Sequence, residues 1–126
     1  MTTRCWLVST DLLTAVPGGA DVYVMKHVLH GYEDERAVTI LKNGRAAMGS
    51  EGRLLVIEFV LPDVGDRVDG DLELRLMSDL NMLAVTGGRE RTESDWIELL
   101  CTSGLRVMGV VPVEGDSASI IEIRPG

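Results

Sequence analysis

The sequence is poor in basic residues and in cysteine. Its 126 residues include 12 lysines and arginines against 20 aspartates and glutamates, which gives a net charge of −8. Nucleic acids and anionic membranes are bound through clustered basic side chains, so this balance argues against both as partners. The two cysteines, Cys5 and Cys101, do not have the spacing of metal ligands.

The sequence also lacks a leader and a membrane-length apolar run. Its start does not have the basic stretch and apolar stretch of a secretory signal, and its longest apolar runs are about strand length. We therefore expect a cytoplasmic protein with reduced thiols. An apolar content of 45% at this length predicts one domain with a real core.

The stretches that are present alternate between strand and helix patterns, which predicts an α/β fold. Residues 22–29 are almost continuously apolar, the pattern of a parallel strand buried on both faces. Asp34 is a suitable helix cap, and Thr92 with Asp95 has the capping-box spacing. The predicted strands are 4–8, 22–29 and 53–61, the predicted helices are 34–48, 72–84 and one from Thr92 to Gly104, and 105–113 with 118–124 form an antiparallel hairpin.

His30, one of only two histidines, follows the apolar stretch 22–29. Open α/β sheets bind ligands at the carboxyl ends of their strands, so His30 is a candidate catalytic residue, with a surface loop residue as the alternative. Strand alternation places Lys26 on the face of His30 and His27 on the opposite face. The two histidines are therefore predicted to be a poor metal site, and His27 a hydrogen-bonded structural residue.

Glu58 interrupts the otherwise apolar stretch 53–61. Burying a carboxylate costs several kcal/mol unless it is paired. Two parallel strands joined by one helix are often neighbours, which would bring Glu58 to the same rim as His30. A carboxylate bound to one imidazole nitrogen fixes the tautomer and leaves the other nitrogen as a base. The alternative is that Glu58 lies at a solvent-exposed strand end, and the spacing alone favours neither.

Three other features have an ordinary structural explanation. Lys26 is explained either by an anionic cofactor or by its ammonium reaching the rim, and periodicity favours the second. The loop 87–93, with paired glycines and alternating charges, is a solvated connection unless it folds over the rim. Asp11 is an acid after a predicted strand, without further support from spacing.

Three motifs occur in a specific order: residues 25–30 with the acidic pair 34–35, then 55–58, and then 87–93. Together they resemble the carboxyl-terminal part of the S-adenosylmethionine-dependent small-molecule O-methyltransferases, the caffeic-acid-type family of plants and its bacterial relatives. The resemblance covers essentially the whole chain. It implies a partial Rossmann-like methyltransferase sheet, with parallel strands and helices followed by an antiparallel carboxyl-terminal hairpin.

The resemblance also implies a role for individual residues. His30 matches the catalytic base, and Glu58 and Glu90 match the two acids that orient it. The remaining matches are Lys26 to the cofactor lysine, Asp11 and Leu12 to part of the motif on the adenine side of the cofactor, and Met82 to the lining of the acceptor pocket. A phenol with a pKa of about 10 is a poor nucleophile at neutral pH, and a histidine of pKa about 6.5 can take its proton as the methyl group is attacked.

The sequence departs from the family pattern in two ways. Gly31 and Tyr32 stand where the family usually has aspartate and tryptophan, and Thr10 replaces a glycine. The glycine-rich cofactor turn, the ribose-binding acid and the amino-terminal dimerisation domain have no counterpart. Residues 1–126 are therefore expected to be the carboxyl-terminal portion of a catalytic domain. In the family's sheet order, residues 4–9 would lack a neighbour and 22–29 would form an exposed edge.

Two hypotheses of function follow from the resemblance. The first is an O-methyltransferase that uses S-adenosylmethionine and is active only if a longer chain or a partner supplies the missing half. Its acceptor would be a small aromatic or polyketide-like hydroxylated molecule, and its full-length form a homodimer. The second is a non-catalytic remnant or interaction module that does not bind the cofactor. A phospho-receiver domain is excluded because the acidic pair and acceptor aspartate that it requires are missing at the expected strand ends.

Overall fold

The structure, a computed structural model of the chain, describes residues 4–61, 90–115 and 118–126. These residues form a five-stranded mixed sheet with two α-helices, which confirms the predicted α/β fold. The predicted helix 72–84 lies outside the described residues. In chain order the elements are β1 (Val22–Lys26), α1 (Asp34–Ala47), β2 (Arg53–Leu61), β3 (Arg91–Thr92), α2 (Glu93–Thr102), β4 (Leu105–Pro112) and β5 (Ala118–Pro125).

The sheet combines parallel strands with the predicted antiparallel hairpin. Its strand order is β1-β2-β5-β4, and β3 pairs with β2 outside this path. β1 runs parallel to the first five residues of β2, and β3 runs parallel to its last two. β5 is antiparallel to both β2 and β4. β1 therefore stops beside Ile57 of β2, and β3 starts beside Val60.

β1 differs from the predicted strand in its length and its burial. It ends at Lys26 rather than near residue 29, and Val22 and Val24 are 47% and 58% exposed while Met25 is 7% exposed. The prediction of burial on both faces is wrong because only the face of β1 that carries Tyr23 and Met25 packs on the core of the described residues. β1 is also an edge strand in the described part of the chain. Its edge position agrees with the sheet order implied by the family resemblance.

The strand predicted at residues 4–8 is not formed. These residues have no regular secondary structure, and Trp6 and Leu7 are 75% and 99% exposed. A strand requires a hydrogen-bonded neighbour, and the sheet of the described residues pairs β1 only with β2. The apolar composition of this stretch is therefore not sufficient to make it a strand here.

The two helices begin and end close to the predicted residues because local signals determine them. The predicted cap of α1 is wrong, however: Glu33 is the N-cap, without a side-chain capping hydrogen bond, and Asp34 is the first helical residue. α1 has Asp34 and Glu35 in its first turn, where acids favour the helix dipole. At the start of α2 the Thr92 hydroxyl accepts a hydrogen bond from the Asp95 N–H and the Asp95 carboxylate accepts one from the Thr92 N–H, which confirms the capping box.

The helices and the sheet share one apolar core. Its most deeply buried members are Leu29, Ala37, Ile40, Leu41, Leu54, Val56, Trp96, Leu100, Ile121 and Ile123. None of the helices in residues 4–61, 90–115 and 118–126 has both the length and the apolar content that a membrane span requires.

Candidate active site

The chain turns sharply where β1 ends. The His27 N–H still donates to the Ile57 carbonyl at 3.0 Å, but His27 has a φ of 53°, in the left-handed region that few residues other than glycine adopt. A short 3₁₀ turn, Leu29–Gly31, follows, and the fully buried Leu29 side chain fixes it to the core. His30 is thereby held just beyond the carboxyl end of β1, next to Glu58 of β2.

His27 lies beside His30 and not on the opposite face. The two imidazole rings stack with centroids 5.2 Å apart and an interplanar angle of 29°. The prediction from strand alternation is wrong because the strand ends at Lys26, before either histidine. The left-handed backbone at His27 depends on its tertiary surroundings, so the sequence gives no signal for this arrangement.

Glu90 is the direct partner of the His30 ring. Its Oε1 lies 2.7 Å from His30 Nδ1, and the side chains are 0% and 14% exposed respectively. Because a carboxylate accepts hydrogen bonds, this contact assigns the Nδ1 proton to the histidine and leaves the lone pair on Nε2. Glu90 occupies this position because it immediately precedes β3, which pairs with the last two residues of β2.

Glu58 contacts the backbone of the same histidine. Its side chain is 0% exposed, so the alternative of a solvent-exposed strand end is wrong. Glu58 Oε1 accepts a hydrogen bond from the His30 backbone N–H at 3.3 Å, and Oε2 lies 3.5 Å from Nδ1 of both His27 and His30. The predicted approach of Glu58 to His30 is therefore observed, but Glu58 accepts its hydrogen bond from the His30 backbone N–H, and Glu90 contacts the ring.

Burial and neighbouring charges shift the pKa values of this cluster. Desolvation raises the pKa of Glu58 from 4.5 to about 7, and the nearby Glu90 charge acts in the same direction while His30 opposes it. The hydrogen bond to Glu90 raises the pKa of His30 above 6.5, although burial of the ring acts against it. Near neutral pH, Glu58 is thus partly protonated and His30 is a stronger base than a free imidazole.

A metal ion is a second use that this arrangement suggests. His27, His30 and Glu58 offer ligand atoms that lie within 4.8 Å of one another, so the geometric reason for which the two histidines looked a poor metal site is wrong. A metal on His30 Nδ1 would, however, replace the 2.7 Å hydrogen bond to Glu90. We therefore interpret the cluster as a hydrogen-bonded acid–base group.

The residues matched to the cofactor lie in two other places. Asp11 and Leu12 form a turn in which the Asp11 carboxylate accepts a hydrogen bond from the Leu13 N–H at 3.0 Å. The Leu12 carbonyl accepts one from Asn43 of α1 at 2.8 Å. Lys26 is exposed at the end of β1, four residues before His30. These hydrogen bonds connect the turn to α1 and not to the His30 cluster, and Met82 lies outside the described residues.

Most of the chain matches one family of known proteins. The model of the O-methyltransferase domain matches residues 2–106. The chain belongs to the O-methyltransferase domain family. The O-demethylpuromycin-O-methyltransferase of Streptomyces alboniger is 45% identical over 116 residues, which cover 91% of this chain and 30% of that protein.

Solved O-methyltransferase structures share the fold. LaPhzM is 36% identical with a TM-score of 0.88, covering 98% of this chain and 35% of that one. NcsB1, an O-methyltransferase from neocarzinostatin biosynthesis solved with S-adenosylmethionine and 2-hydroxy-5-methyl naphthoic acid, is 34% identical with a TM-score of 0.80, covering 94% and 33%. The chain therefore spans about a third of the length of the relatives that it matches.

Proposed function

We propose that this chain supplies the proton-accepting side of an S-adenosylmethionine-dependent O-methyltransferase, with His30 as the general base. The observation that carries the proposal is the 2.7 Å contact between His30 Nδ1 and the buried Glu90 carboxylate. It holds the Nδ1 proton and directs the basic Nε2 away from the carboxylate. Membership of the O-methyltransferase family supports the reaction class.

His30 takes the proton of the acceptor hydroxyl as its oxygen attacks the methyl carbon. The O–H bond breaks, an O–C bond forms, and the C–S bond electrons remain on sulfur. S-adenosylmethionine, when bound, supplies the electrophilic methyl group. Glu90 stabilises the imidazolium that forms, because its negative charge lies next to the Nδ1 proton. Glu58 keeps the turn in place through the His30 N–H.

The cofactor side is supported less completely by the residues present. Asp11 is exposed, and its two carboxylate oxygens accept hydrogen bonds within its own turn, from the Leu13 N–H at 3.0 Å and from the Thr14 hydroxyl at 3.5 Å. Each carboxylate oxygen can accept more than one hydrogen bond, so Asp11 retains acceptor capacity suited to an amino group such as that of adenine. Lys26 is exposed at the strand end and suits a carboxylate or carbonyl group. We propose these residues, with Leu12, as half of a cofactor site, and a small aromatic or polyketide-like molecule as the acceptor.

A chimera tests the base directly. These 126 residues would replace the matching segment of the Streptomyces alboniger relative, and methylation of O-demethylpuromycin would be measured. We expect His30→Asn to lower turnover by roughly 10²–10⁴-fold, because asparagine cannot accept the proton. Cofactor affinity, measured by calorimetry, should remain within about twofold because His30 acts on the acceptor.

His27→Asn is the matched control for this test. It removes the neighbouring histidine from the same cluster, and asparagine tolerates the left-handed backbone at that position. We expect it to lower turnover by less than about tenfold, because His30 keeps its hydrogen bond to Glu90. Equal losses in the two variants, or an unchanged rate in His30→Asn, would remove His30 from the role of base.

Calorimetry on the 126 residues alone separates the two hypotheses of function. We expect weak or undetectable binding of S-adenosylmethionine, because a glycine-rich phosphate-type turn and a ribose acid are missing from the sequence. Binding at micromolar strength would instead show that these residues contain a sufficient cofactor site. A chimera that binds the cofactor but does not methylate would favour the non-catalytic hypothesis. Homodimerisation of a full-length form stays a prediction.

A further inference from the structure

We infer that Arg91 is a positioning residue, which holds the turn that carries His30 in register with Glu90. Arg91 is 1% exposed, although a guanidinium is costly to bury unless its N–H groups are satisfied. The inference rests on the proposed function of His30 as the base. It concerns how that base is held in place.

Arg91 contacts the His30 turn on both sides of the histidine. Its Nη1 donates to the Leu29 carbonyl at 3.2 Å, and its Nη2 donates to the Tyr32 carbonyl at 2.9 Å. These two carbonyls lie on either side of His30, at the first residue of the 3₁₀ turn and at the residue just after it, so one planar guanidinium spans the segment that carries the imidazole. A rigid fork of donors is the property that distinguishes arginine from lysine.

Two further contacts orient the guanidinium itself. Nε and Nη2 both donate to Asp34 Oδ1, at 3.0 and 2.9 Å, at the start of α1. The Trp96 ring of α2 packs under the guanidinium carbon at 5.2 Å from the ring centroid. Arg91 therefore connects the His30 turn with both helices.

Arg91 contacts the His30 turn, and its chain neighbour Glu90 contacts the His30 ring. The Arg91 backbone pairs with Val60 of β2, and Glu90 immediately precedes it. The ring of His30 is thus fixed by Glu90, while the backbone on either side of His30 is fixed by the next residue. If the guanidinium moves, the turn can shift while Glu90 stays on the sheet, and the 2.7 Å contact lengthens.

NMR titration of the His30 ring in the 126-residue chain tests this positioning without requiring turnover. Arg91→Lys keeps the positive charge but cannot reach Leu29, Tyr32 and Asp34 together. We expect the pKa of His30 to fall by about half to one pH unit, because the hydrogen bond to Glu90 is the largest cause that raises it. The amides of Gly31 and Tyr32, which close the turn, should exchange faster with solvent.

Arg45→Lys is the matched control. Arg45 also donates to two backbone carbonyls, of Gly104 and Gly126, but it is exposed and joins other segments. This variant should reduce stability to a similar or smaller extent and leave the His30 pKa and the turn amides unchanged. A fall in the pKa that also appears in Arg45→Lys would indicate general loosening and would overturn the inference.

Asp34→Glu decides the question if Arg91→Lys does not fold. The Asp34 side chain is 60% exposed, and glutamate keeps its charge while displacing the guanidinium by one methylene group. We expect a smaller fall in the His30 pKa and faster exchange at Gly31. An unchanged or raised pKa, with unchanged exchange, would overturn the inference. Retained turnover in the His30→Asn chimera would instead contradict the proposed function and leave the NMR result standing.

Discussion

The His30 cluster consists of His30, Glu58 and Glu90, and the outer face of β1 carries Val22 and Val24. His30 and β1 are close in the chain, but the described residues bury the cluster and leave the outer face of β1 exposed. The side chains of Glu58 and Glu90 are 0% exposed and that of His30 is 14% exposed. Along β1, only a few residues earlier, Val24 is 58% exposed. The described residues therefore bury the contacts between His30, Glu58 and Glu90, whereas they leave the outer face of β1 exposed.

The stability of the His30 cluster depends on the protonation of its side chains as well as on their packing. Desolvation raises the pKa of Glu58 to about 7, and repulsion by the neighbouring Glu90 carboxylate adds to this shift, so that Glu58 is partly protonated near neutral pH. Arg91 and a protonated His30 supply the compensating positive charge. The outer face of β1 carries no buried charge, so substitutions at Val22 or Val24 should change the free energy of unfolding only slightly.

The largest effect in this comparison is expected for Glu90→Gln. Glutamine keeps the shape and an acceptor oxygen but removes the charge that stabilises the imidazolium. A charge-assisted hydrogen bond exceeds a neutral one by about 1–2 kcal/mol, so turnover of the chimera should fall roughly 10- to 100-fold. The pKa of His30 should move towards 6.5, and the acidic limb of the pH–rate profile should move to lower pH with it.

Glu93→Gln is the control for this charge. Glu93 is an exposed acid at the start of α2, three residues from Glu90, so its loss should change neither quantity. If both variants shift the His30 pKa equally, the effect belongs to the general negative charge of the region. The specific contact with Glu90 would then be unnecessary.

The residues that sequence reasoning placed correctly are those with local signals. β2 has the predicted bounds because a bounded apolar run of nine residues fits a strand, and α2 begins where the capping box places it. The end of β1 was missed because the apolar Leu29 is equally suited to a strand and to a buried turn. The positions of His27 and Arg91 depend on a left-handed backbone and on contacts about 60 residues apart, which no local pattern encodes.

An intermediate effect is expected for the pH dependence of stability. The folded pKa of Glu58 is raised to about 7 from 4.5, so the folded state binds more protons than the unfolded state between these values. The stabilisation due to Glu58 is therefore complete below about pH 4.5 and is lost as the pH rises to about 7. Relative to Glu58→Gln, the chain should lose on the order of 1–3 kcal/mol of unfolding free energy across this range.

Denaturant unfolding at a series of pH values measures this difference. Glu35→Gln, an exposed acid in the first turn of α1, should run parallel to the unchanged chain. The raised pKa of His30 acts with the same sign but above pH 6.5, so it leaves the lower part of the window to Glu58. A difference between the chain and Glu58→Gln that does not vary with pH would show that the carboxylate titrates normally.

The smallest effect on the free energy of unfolding is expected at the outer face of β1, for Val24→Lys. Val24 is 58% exposed, so lysine loses little buried area, and surface substitutions commonly change stability by less than about 0.5 kcal/mol. Met25→Lys is the contrasting variant, because Met25 lies one residue further along β1 with 7% exposure and packs in the core. Unfolding experiments should show a loss of several kcal/mol there, since an unpaired charge would be buried. A comparable loss in Val24→Lys would mean that the outer face of β1 is covered in solution, and that the contrast between the buried cluster and this exposed face does not hold.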